Sequence, residues 1–203
     1  MKAAALVLSV LALASWAGAQ EEHFAVRVSA AGVFNRTANS NDGTVTLKPT
    51  SSLAFVGGLR FRFTPRQSLE INIGRTHNSQ LFTVAPNTFR ITTGVAEYTG
   101  AYVLSPFSGK RWEPFIFGGA GALRFRPNTT YIDGFQASFG AASETALAFL
   151  YGVGAMYQVI GPLGLRLEYR GLIYKEPDFK IPRLFTAAHG HMAEPALGIV
   201  FRF

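Results

Sequence analysis

Charged and apolar residues alternate strictly in the segment Leu165-Arg166-Leu167-Glu168-Tyr169-Arg170. Successive side chains of a β-strand point to opposite faces, so the three charged residues of this segment would share one face. Arginine presents a planar fork of donors that fits a carboxylate, and it can therefore pair with glutamates of neighbouring strands. The chemistry that this pattern predicts is electrostatic: a set of buried charges that neutralise one another.

Several other alternating segments also carry charged residues on one face. We predict one interior ionic cluster with a structural role, formed by Arg27, Arg60, Glu70, Glu97, Arg166, Glu168 and Arg170. Removal of Glu70 or Glu168 would leave a buried arginine without its counter-charge, at a cost of about 3–5 kcal/mol. The alternative interpretation of the same residues is a narrow path for ions or small solutes.

Two histidines raise the alternative of catalysis. His189-Gly190-His191 lies close to Glu194 in the sequence, in the last long connection. A His-x-His pair can bind zinc, and a histidine with a serine and a glutamate can hydrolyse esters. We interpret these histidines as surface residues, and we predict no catalytic residue, no metal site and no cofactor.

Eight alternating segments would hold these side chains in place. In a transmembrane barrel, strands of about 9–11 residues present one face to lipid and the other to a polar interior. The segments are residues 24–34, 53–63, 68–74, 89–104, 115–125, 145–159, 165–170 and 195–203. A membrane helix competes for 145–159, but its length and its glycines favour a strand.

Two segments differ from the others in how their apolar residues are divided between the lipid-facing and the interior face. In 89–104 the apolar residues change parity, which predicts a β-bulge near Val95-Ala96 that turns Glu97 inward. In 115–125 the large apolar residues are expected to face lipid: Phe115, Phe117, Leu123 and Phe125. The small residues between them, together with Arg124, are expected to face inward.

The connections alternate in length. Residues 64–67 and 160–163 are predicted tight turns, and 105–112 is somewhat longer. Residues 35–51, 76–88, 126–144 and 174–194 are predicted long loops. Short periplasmic turns and long outer loops are typical of bacterial barrels, so both mature termini are expected in the periplasm. A soluble barrel would have the reverse polarity and would bury unpaired charges in an apolar interior.

The N-terminal residues predict export. Lys2 precedes an apolar run at residues 3–14, and Ala17-Gly18-Ala19 forms a small-residue cleavage site. We therefore assign residues 1–19 to a cleavable signal helix and 20–203 to the barrel domain. The chain has no cysteine, and its net charge of +7 comes from arginines that are spread singly, which argues against nucleic-acid binding.

The C-terminus carries a family resemblance. Gly198-Ile199-Val200-Phe201-Arg202-Phe203 resembles the signal read by the barrel assembly machinery of outer membranes, with Gly198, Phe201 and Phe203 at its characteristic positions. Ala196 departs from the polar residue that is usual there. With its Gly-rich strands, the chain resembles the outer membrane protein beta-barrel domain family, which includes the opacity-type and the outer-membrane protein A/X-type eight-stranded barrels.

The resemblance implies a fold and a location more specifically than a function. The expected fold is all-β, an eight-stranded antiparallel up-and-down transmembrane β-barrel in the cell outer membrane. The expected partners are outer-membrane lipid and lipopolysaccharide, the assembly machinery, and an extracellular ligand at the loops; a monomer is expected. The expected function is a non-enzymatic structural or surface role in adhesion or envelope integrity. One alternative is a membrane-embedded lipid-modifying enzyme, although the His-x-Ser-Asn motif of lipid A deacylases is absent and Met192-Ala193 follow His191. The other is a narrow pore.

Overall fold

The computed structural model describes residues 23–40, 43–107 and 111–203. Within them, eight long strands form the wall: β1 (Phe24–Asn35), β4 (Ser52–Thr64), β5 (Gln67–Val84), β6 (Asn87–Leu104), β7 (Trp112–Ile132), β9 (Glu144–Ile160), β10 (Leu163–Lys175) and β11 (His189–Arg202). Three short strands extend one end: β2 (Ala38–Asn39), β3 (Val45–Pro49) and β8 (Phe135–Gln136). The predicted signal segment lies outside the described residues.

The eight long strands close into an antiparallel barrel. They pair in the order β5-β4-β1-β11-β10-β9-β7-β6, and the pairing of β5 with β6 completes the ring. Phe24 of β1 and Phe203, next to the end of β11, exchange two backbone hydrogen bonds of 3.0 and 2.8 Å. The predicted eight-stranded barrel is confirmed. None of the described residues forms a helix that is long and apolar enough to cross a bilayer.

The wall is apolar outside and charged inside. Leu167 of β10 exposes 65% of its surface, whereas its neighbour Arg166 exposes 1%. The same contrast recurs around the ring, because side chains alternate along each strand. This polarity suits a barrel that is surrounded by lipid and is the opposite of the polarity of a soluble barrel.

The strands extend further at one end than the sequence pattern predicts. The predicted tight turns between β4 and β5 and between β9 and β10 are confirmed. The predicted loop 76–88, by contrast, is a continuous hairpin: β5 and β6 pair from Gln67↔Leu104 to Val84↔Asn87. Likewise, β7 continues to Ile132 and β11 begins at His189. Polar residues dominate these extensions because a strand that rises above the hydrocarbon region needs no apolar outer face.

The predicted bulge near Val95-Ala96 is wrong. β6 pairs with β5 without a break, and its register with β7 shifts between Thr92 and Thr93 instead. Ile91 is fully buried and shares its inward parity with Glu97, so no change of parity is needed. Glu97 does point inward, as predicted, but for this different reason.

The predicted facing of segment 115–125 is also wrong. Phe115, Phe117, Leu123 and Phe125 are all buried inside the barrel, whereas Ile116 is 51% exposed and Arg124 lies on the outer face. Gly152 and Gly154 of β9 leave room for the rings of Phe117 and Phe115, respectively. The wall of β7 therefore presents mostly small residues to lipid.

Short elements close the extended end of the barrel. We call this region the outer cap; it consists of residues 43–49 and 176–188 together with the parts of β5, β6 and β7 at the extended end. β3 pairs with β5, from Val45↔Val84 to Pro49↔Gln80. A single 3-10 turn, Pro182–Leu184, lies in the other segment. Leu47, Phe82, Phe179 and Leu184 are fully buried, and the rings of Phe82 and Phe179 meet edge to face at 6.3 Å. An apolar core therefore holds the cap on the barrel.

Candidate functional site: the charged interior and the outer cap

Glu70 of β5 lies in the barrel interior, where three arginines converge on its carboxylate. Arg27 of β1 donates from Nη2 to Oε1 at 2.9 Å, and Arg60 of β4 donates from Nε to Oε2 at 3.1 Å. Arg166 of β10 donates from Nη1 to Oε2 at 2.7 Å. The Glu70 side chain is 1% exposed, so these bonds form away from bulk water, where they are strongest.

Glu168 of β10 is the second acceptor and links Arg27 to Arg166. Its Oε1 accepts from Arg27 Nη1 at 2.6 Å, and its Oε2 accepts from Arg166 Nε at 2.8 Å. Arg27 also donates to Ser29 Oγ at 3.2 Å and to Asn72 Oδ1 at 2.5 Å. Partners on several sides hold each guanidinium in one orientation.

A third group lies nearer the outer cap, around Arg170. Arg170 Nη2 donates to Glu97 Oε1, and its Nη1 lies 3.2 Å from Glu194 Oε2. Thr99 donates to Glu97 Oε1 at 2.8 Å and accepts from Asn72 Nδ2 at 3.3 Å. A chain of polar contacts thus connects this group to the arginines around Glu70.

The structure brings all seven residues of the predicted interior ionic cluster together in one network. Each of them is at most 5% exposed. The period-two alternation places them correctly, because none of the seven lies in the two stretches whose predicted facing was wrong, the start of segment 89–104 and segment 115–125. Their structural role remains a prediction.

Glu113 of β7 is a further member of the interior ionic network, one that the sequence pattern missed. Its Oε2 accepts from Arg62 Nη2 at 2.7 Å and from Arg202 Nη2 at 2.8 Å, and its Oε1 accepts from Ser105 Oγ at 2.9 Å. Arg60 Nη1 also reaches it at 3.3 Å. Glu113 precedes the predicted segment 115–125, whose facing was inverted. Its own alternation with the exposed Trp112 is the signal that would have found it.

Two phenylalanines of β7 cover the arginines. The guanidinium of Arg166 lies 4.3 Å from the ring centre of Phe115 and 5.9 Å from that of Phe117, and that of Arg60 lies 5.0 Å from Phe115. Such stacking is favourable for a desolvated cation. Gly154 of β9 makes room for Phe115: a Cβ at that position would lie 2.5 Å from the ring. The interior of an eight-stranded barrel is wide enough for side chains to fill, and these rings help to fill it.

The predicted assembly-signal residues lie in the closing strand. Gly198 pairs with Ser29 on one side and with Arg166 on the other. Phe201 and Phe203 pack against each other at 6.4 Å, and Phe203 also stacks on Phe24 at 6.1 Å. These contacts explain how the C-terminus joins the N-terminal strand; recognition by the assembly machinery stays a prediction.

The histidines and Glu194 lie on opposite faces of β11. Glu194 is buried inside, whereas His191 points outward and its Nε2 lies 2.7 Å from the Tyr151 hydroxyl oxygen. Both histidines belong to the strand and not to the predicted loop. No group of three or more metal-binding side chains is found among the described residues.

Glu176, in the outer cap, is the other buried carboxyl of note. It is 3% exposed, and neither of its oxygens has a hydrogen-bond partner among the described residues. Burial raises the pKa of Glu176 to about 8, because the charged form loses its hydration without gaining a partner. The carboxyl is therefore mostly protonated at neutral pH, and the cap can hold it without a counter-charge.

Comparison with known families decides the class of this barrel. The family described as "Outer membrane protein beta-barrel domain" matches residues 3–190. The chain belongs to this family. It is accordingly an outer-membrane β-barrel protein, as its apolar outer wall indicates. No curated protein matches the chain in sequence.

Solved structures show the same barrel at low sequence identity. Neisserial surface protein A (NspA) aligns with a TM-score of 0.54 at 14% identity, over 89% of this chain and 97% of that one. Ail, the attachment invasion locus protein of Yersinia pestis, in complex with the heparin analogue sucrose octasulfate, aligns with 0.54 at 14%, over 91% and 100%. The outer membrane protein OprG from Pseudomonas aeruginosa aligns with 0.53 at 12%, over 92% and 98%. At these identities the likeness concerns the fold alone.

Proposed function

We propose that this chain is a non-enzymatic outer-membrane barrel with a closed interior, which acts at the cell surface through its outer cap. The observation that carries the proposal is the interior itself. Arg166 and Arg170 are at most 1% exposed, and Arg166 bonds directly to Glu70 of the opposite strand across the interior. Arg27 bonds to both Glu70 and Glu168, on strands to either side of its own. An interior filled in this way supports a structural role for the charges and argues against a continuous water path.

The arrangement of the last strand supports a role without catalysis. A histidine general base needs hydrogen-bond contact with the group that it activates and with the carboxylate that orients it. The barrel wall separates His191 from Glu194. The outward contact of His191 with Tyr151 is a polar pair on the lipid-facing side.

The outer cap supports a role at the surface. An open cleft of about 560 Å³ lies between the β5–β6 turn and the 3-10 turn, with Phe89, Arg183 and Phe185 among its lining residues. The apolar core beneath it would keep the cleft in shape, and a preformed surface binds a partner with less loss of entropy. Short turns and both described termini lie at the opposite end, which supports periplasmic termini and an extracellular cap. Ail, a barrel of the same fold, is named for attachment.

We expect the double variant Arg183→Ala/Phe185→Ala to lose surface attachment. A strain that lacks the protein would be complemented with the wild type or the variant, and adhesion to cultured host cells would be counted. The wild type should restore adhesion, and the double variant should restore less than a third of it, because an aromatic and an arginine carry much of a contact surface's binding energy.

The matched control is Phe135→Ala, another exposed aromatic of the extended end, at 80% exposure, which does not line the cleft. It should adhere like the wild type at equal amounts of protein in the membrane. Equal adhesion of the deletion strain and its parent would contradict the attachment role. A leaky envelope in that strain would then favour envelope integrity.

A further inference from the structure

The outward face of β5, β6 and β7 carries a cluster of basic residues at one level of the wall. Arg75, Ala96 and Arg124 form one row of paired residues, and His77, Gly94 and Arg126 form the next row outward. The four basic side chains are exposed, while Thr76, Val95 and Phe125 between them point inward. We call the surface formed by Arg75, His77, Arg124 and Arg126 the basic groove.

Small residues give the groove its depth. Gly94 and Ala96 of β6 form its floor, because the basic side chains of β5 and β7 rise on either side of them. A Cβ built on Gly94 would be in ordinary contact with the His77 ring, at 3.5 Å, so the floor is open but narrow. The space that Arg75, His77 and Arg126 line measures about 360 Å³, enough for a phosphate group and part of the molecule that carries it. Arg124 does not line this space but lies next to it, paired with Ala96 of the floor.

The groove begins where the apolar wall ends. The next row, toward the end of the barrel with the short β4–β5 and β9–β10 turns, is formed by Ile73, Tyr98 and Ala122. Phe55 of β4 pairs with Arg75. Ile73 and Phe55 are 60% and 66% exposed. A ligand in the groove would therefore meet cations at one end and lipid-facing apolar side chains at the other.

The positive charge of the groove is not neutralised by the described part of the chain. No described residue forms an ion pair or a hydrogen bond with the side chains of Arg75, Arg124 or Arg126. The glutamates of the same three strands, Glu70, Glu97 and Glu113, are buried on the inner face. Asp133, at the outer turn after β7, is engaged with Thr88 and Asn87. The charges are therefore available to an anion from outside the protein.

We propose that the basic groove binds the phosphate groups of the phosphorylated, acylated glycolipid of the outer leaflet, with its acyl chains along Phe55, Ile73 and Tyr98. Arginine pairs with phosphate through two parallel hydrogen bonds, which suits a bidentate contact from β7. An acylated anion fits both ends of the groove, whereas a free phosphate fits only the basic end. This proposal needs the outer-membrane location but does not depend on the attachment role of the cap.

The test measures binding of fluorescent lipid A to the purified barrel in zwitterionic detergent micelles. The variant is Arg75→Gln/Arg126→Gln, the two arginines that line the groove, and the matched control is Arg66→Gln/Arg111→Gln, two exposed arginines at the turn end of the barrel. We expect the wild type and the control to bind alike and the variant to bind about 30-fold more weakly, since each arginine near an anionic lipid surface contributes roughly fivefold. Added salt should weaken wild-type binding.

Two further ligands distinguish binding through the phosphate groups from binding through the acyl chains. Dephosphorylated lipid A with the same acyl chains should bind the wild type as weakly as intact lipid A binds the variant. Inorganic phosphate at the concentration of lipid A should not displace it. Equal binding of wild type and variant, equal binding of the dephosphorylated lipid, or displacement by inorganic phosphate would each overturn the proposal.

Discussion

Replacement of Glu70 by glutamine is expected to lower the free energy of unfolding of the barrel by about 3–5 kcal/mol, because it removes the shared counter-charge of three buried arginines. Arg27, Arg60 and Arg166 all donate to this carboxylate. The amide of glutamine has the same shape but carries no charge and offers one acceptor oxygen instead of two. The three cations would then repel one another in a region that water does not reach.

The measurement is urea unfolding of the barrel in lipid vesicles, followed by the fluorescence of Trp112. This residue is the only tryptophan after residue 19, and it is 60% exposed on the outer wall. The control is Asp133→Asn, an exposed carboxylate in a turn with φ of 48°, a conformation that asparagine tolerates. The control should change stability by less than about 0.5 kcal/mol.

A second substitution sharpens this result. Arg166→Met in the Glu70→Gln background removes one of the stranded cations and should recover part of the lost stability, as expected for residues of one network. An unfolding midpoint of Glu70→Gln that equals that of the wild type would show that the ion pairs are dispensable.

Replacement of Gly154 by alanine is expected to destabilise the barrel by about 2–3 kcal/mol. The added Cβ would lie 2.5 Å from the Phe115 ring, 2.6 Å from the Leu167 carbonyl oxygen and 2.9 Å from Glu168 Cβ. Contacts this short force β9 or β10 to move, and Glu168 belongs to the ionic network. The ring of Phe115, which covers Arg166, cannot retreat into the filled interior.

The matched control is Gly100→Ala, on the outward face of β6. A Cβ there meets no atom within 4 Å. Alanine restricts the unfolded chain more than glycine does, so this variant should be neutral or more stable by up to about 1 kcal/mol. The same urea unfolding experiment serves for both variants. Equal stability of the two would refute the tight packing of β9 against Phe115.

Period-two alternation was enough to predict the barrel and its ionic cluster. Segment 165–170 shows why: a charged residue at every second position cannot face lipid, so the facing of its strand is unambiguous. Arg27, Arg60 and Glu70 follow the same logic. Their partners could not be predicted, because the pairing depends on the stagger between strands that are distant in the sequence.

β7 shows where alternation fails. Its inner face carries phenylalanines and its outer face carries glycine and alanine, so apolar residues lie on both sides and polarity gives no direction. The decisive partner is Gly154, a residue of another strand, which creates the space for Phe115. Glu113 was missed for the same reason. The basic groove was equally hidden, because Arg124 was assigned to the interior.

The extended end differs from its prediction for a related reason. The sequence of residues 76–88 predicts a polar loop because neither face of the β5–β6 hairpin is continuously apolar there. Backbone pairing with the neighbouring strand, and the apolar core under the cap around Phe82 and Phe179, keep it extended. The contact of Phe82 with Phe179 joins segments far apart in the sequence, and no local pattern reports it.

The central claim is that the charged interior closes the barrel and does not conduct. It is tested most directly by single-channel recording of the purified wild-type barrel in planar lipid bilayers, at both signs of voltage. The ion pairs around Glu70, Glu168 and Glu113, together with Phe115 and Phe117, predict a flat baseline without steady conductance steps. Reproducible, long-lived open steps from the wild-type protein would contradict the account.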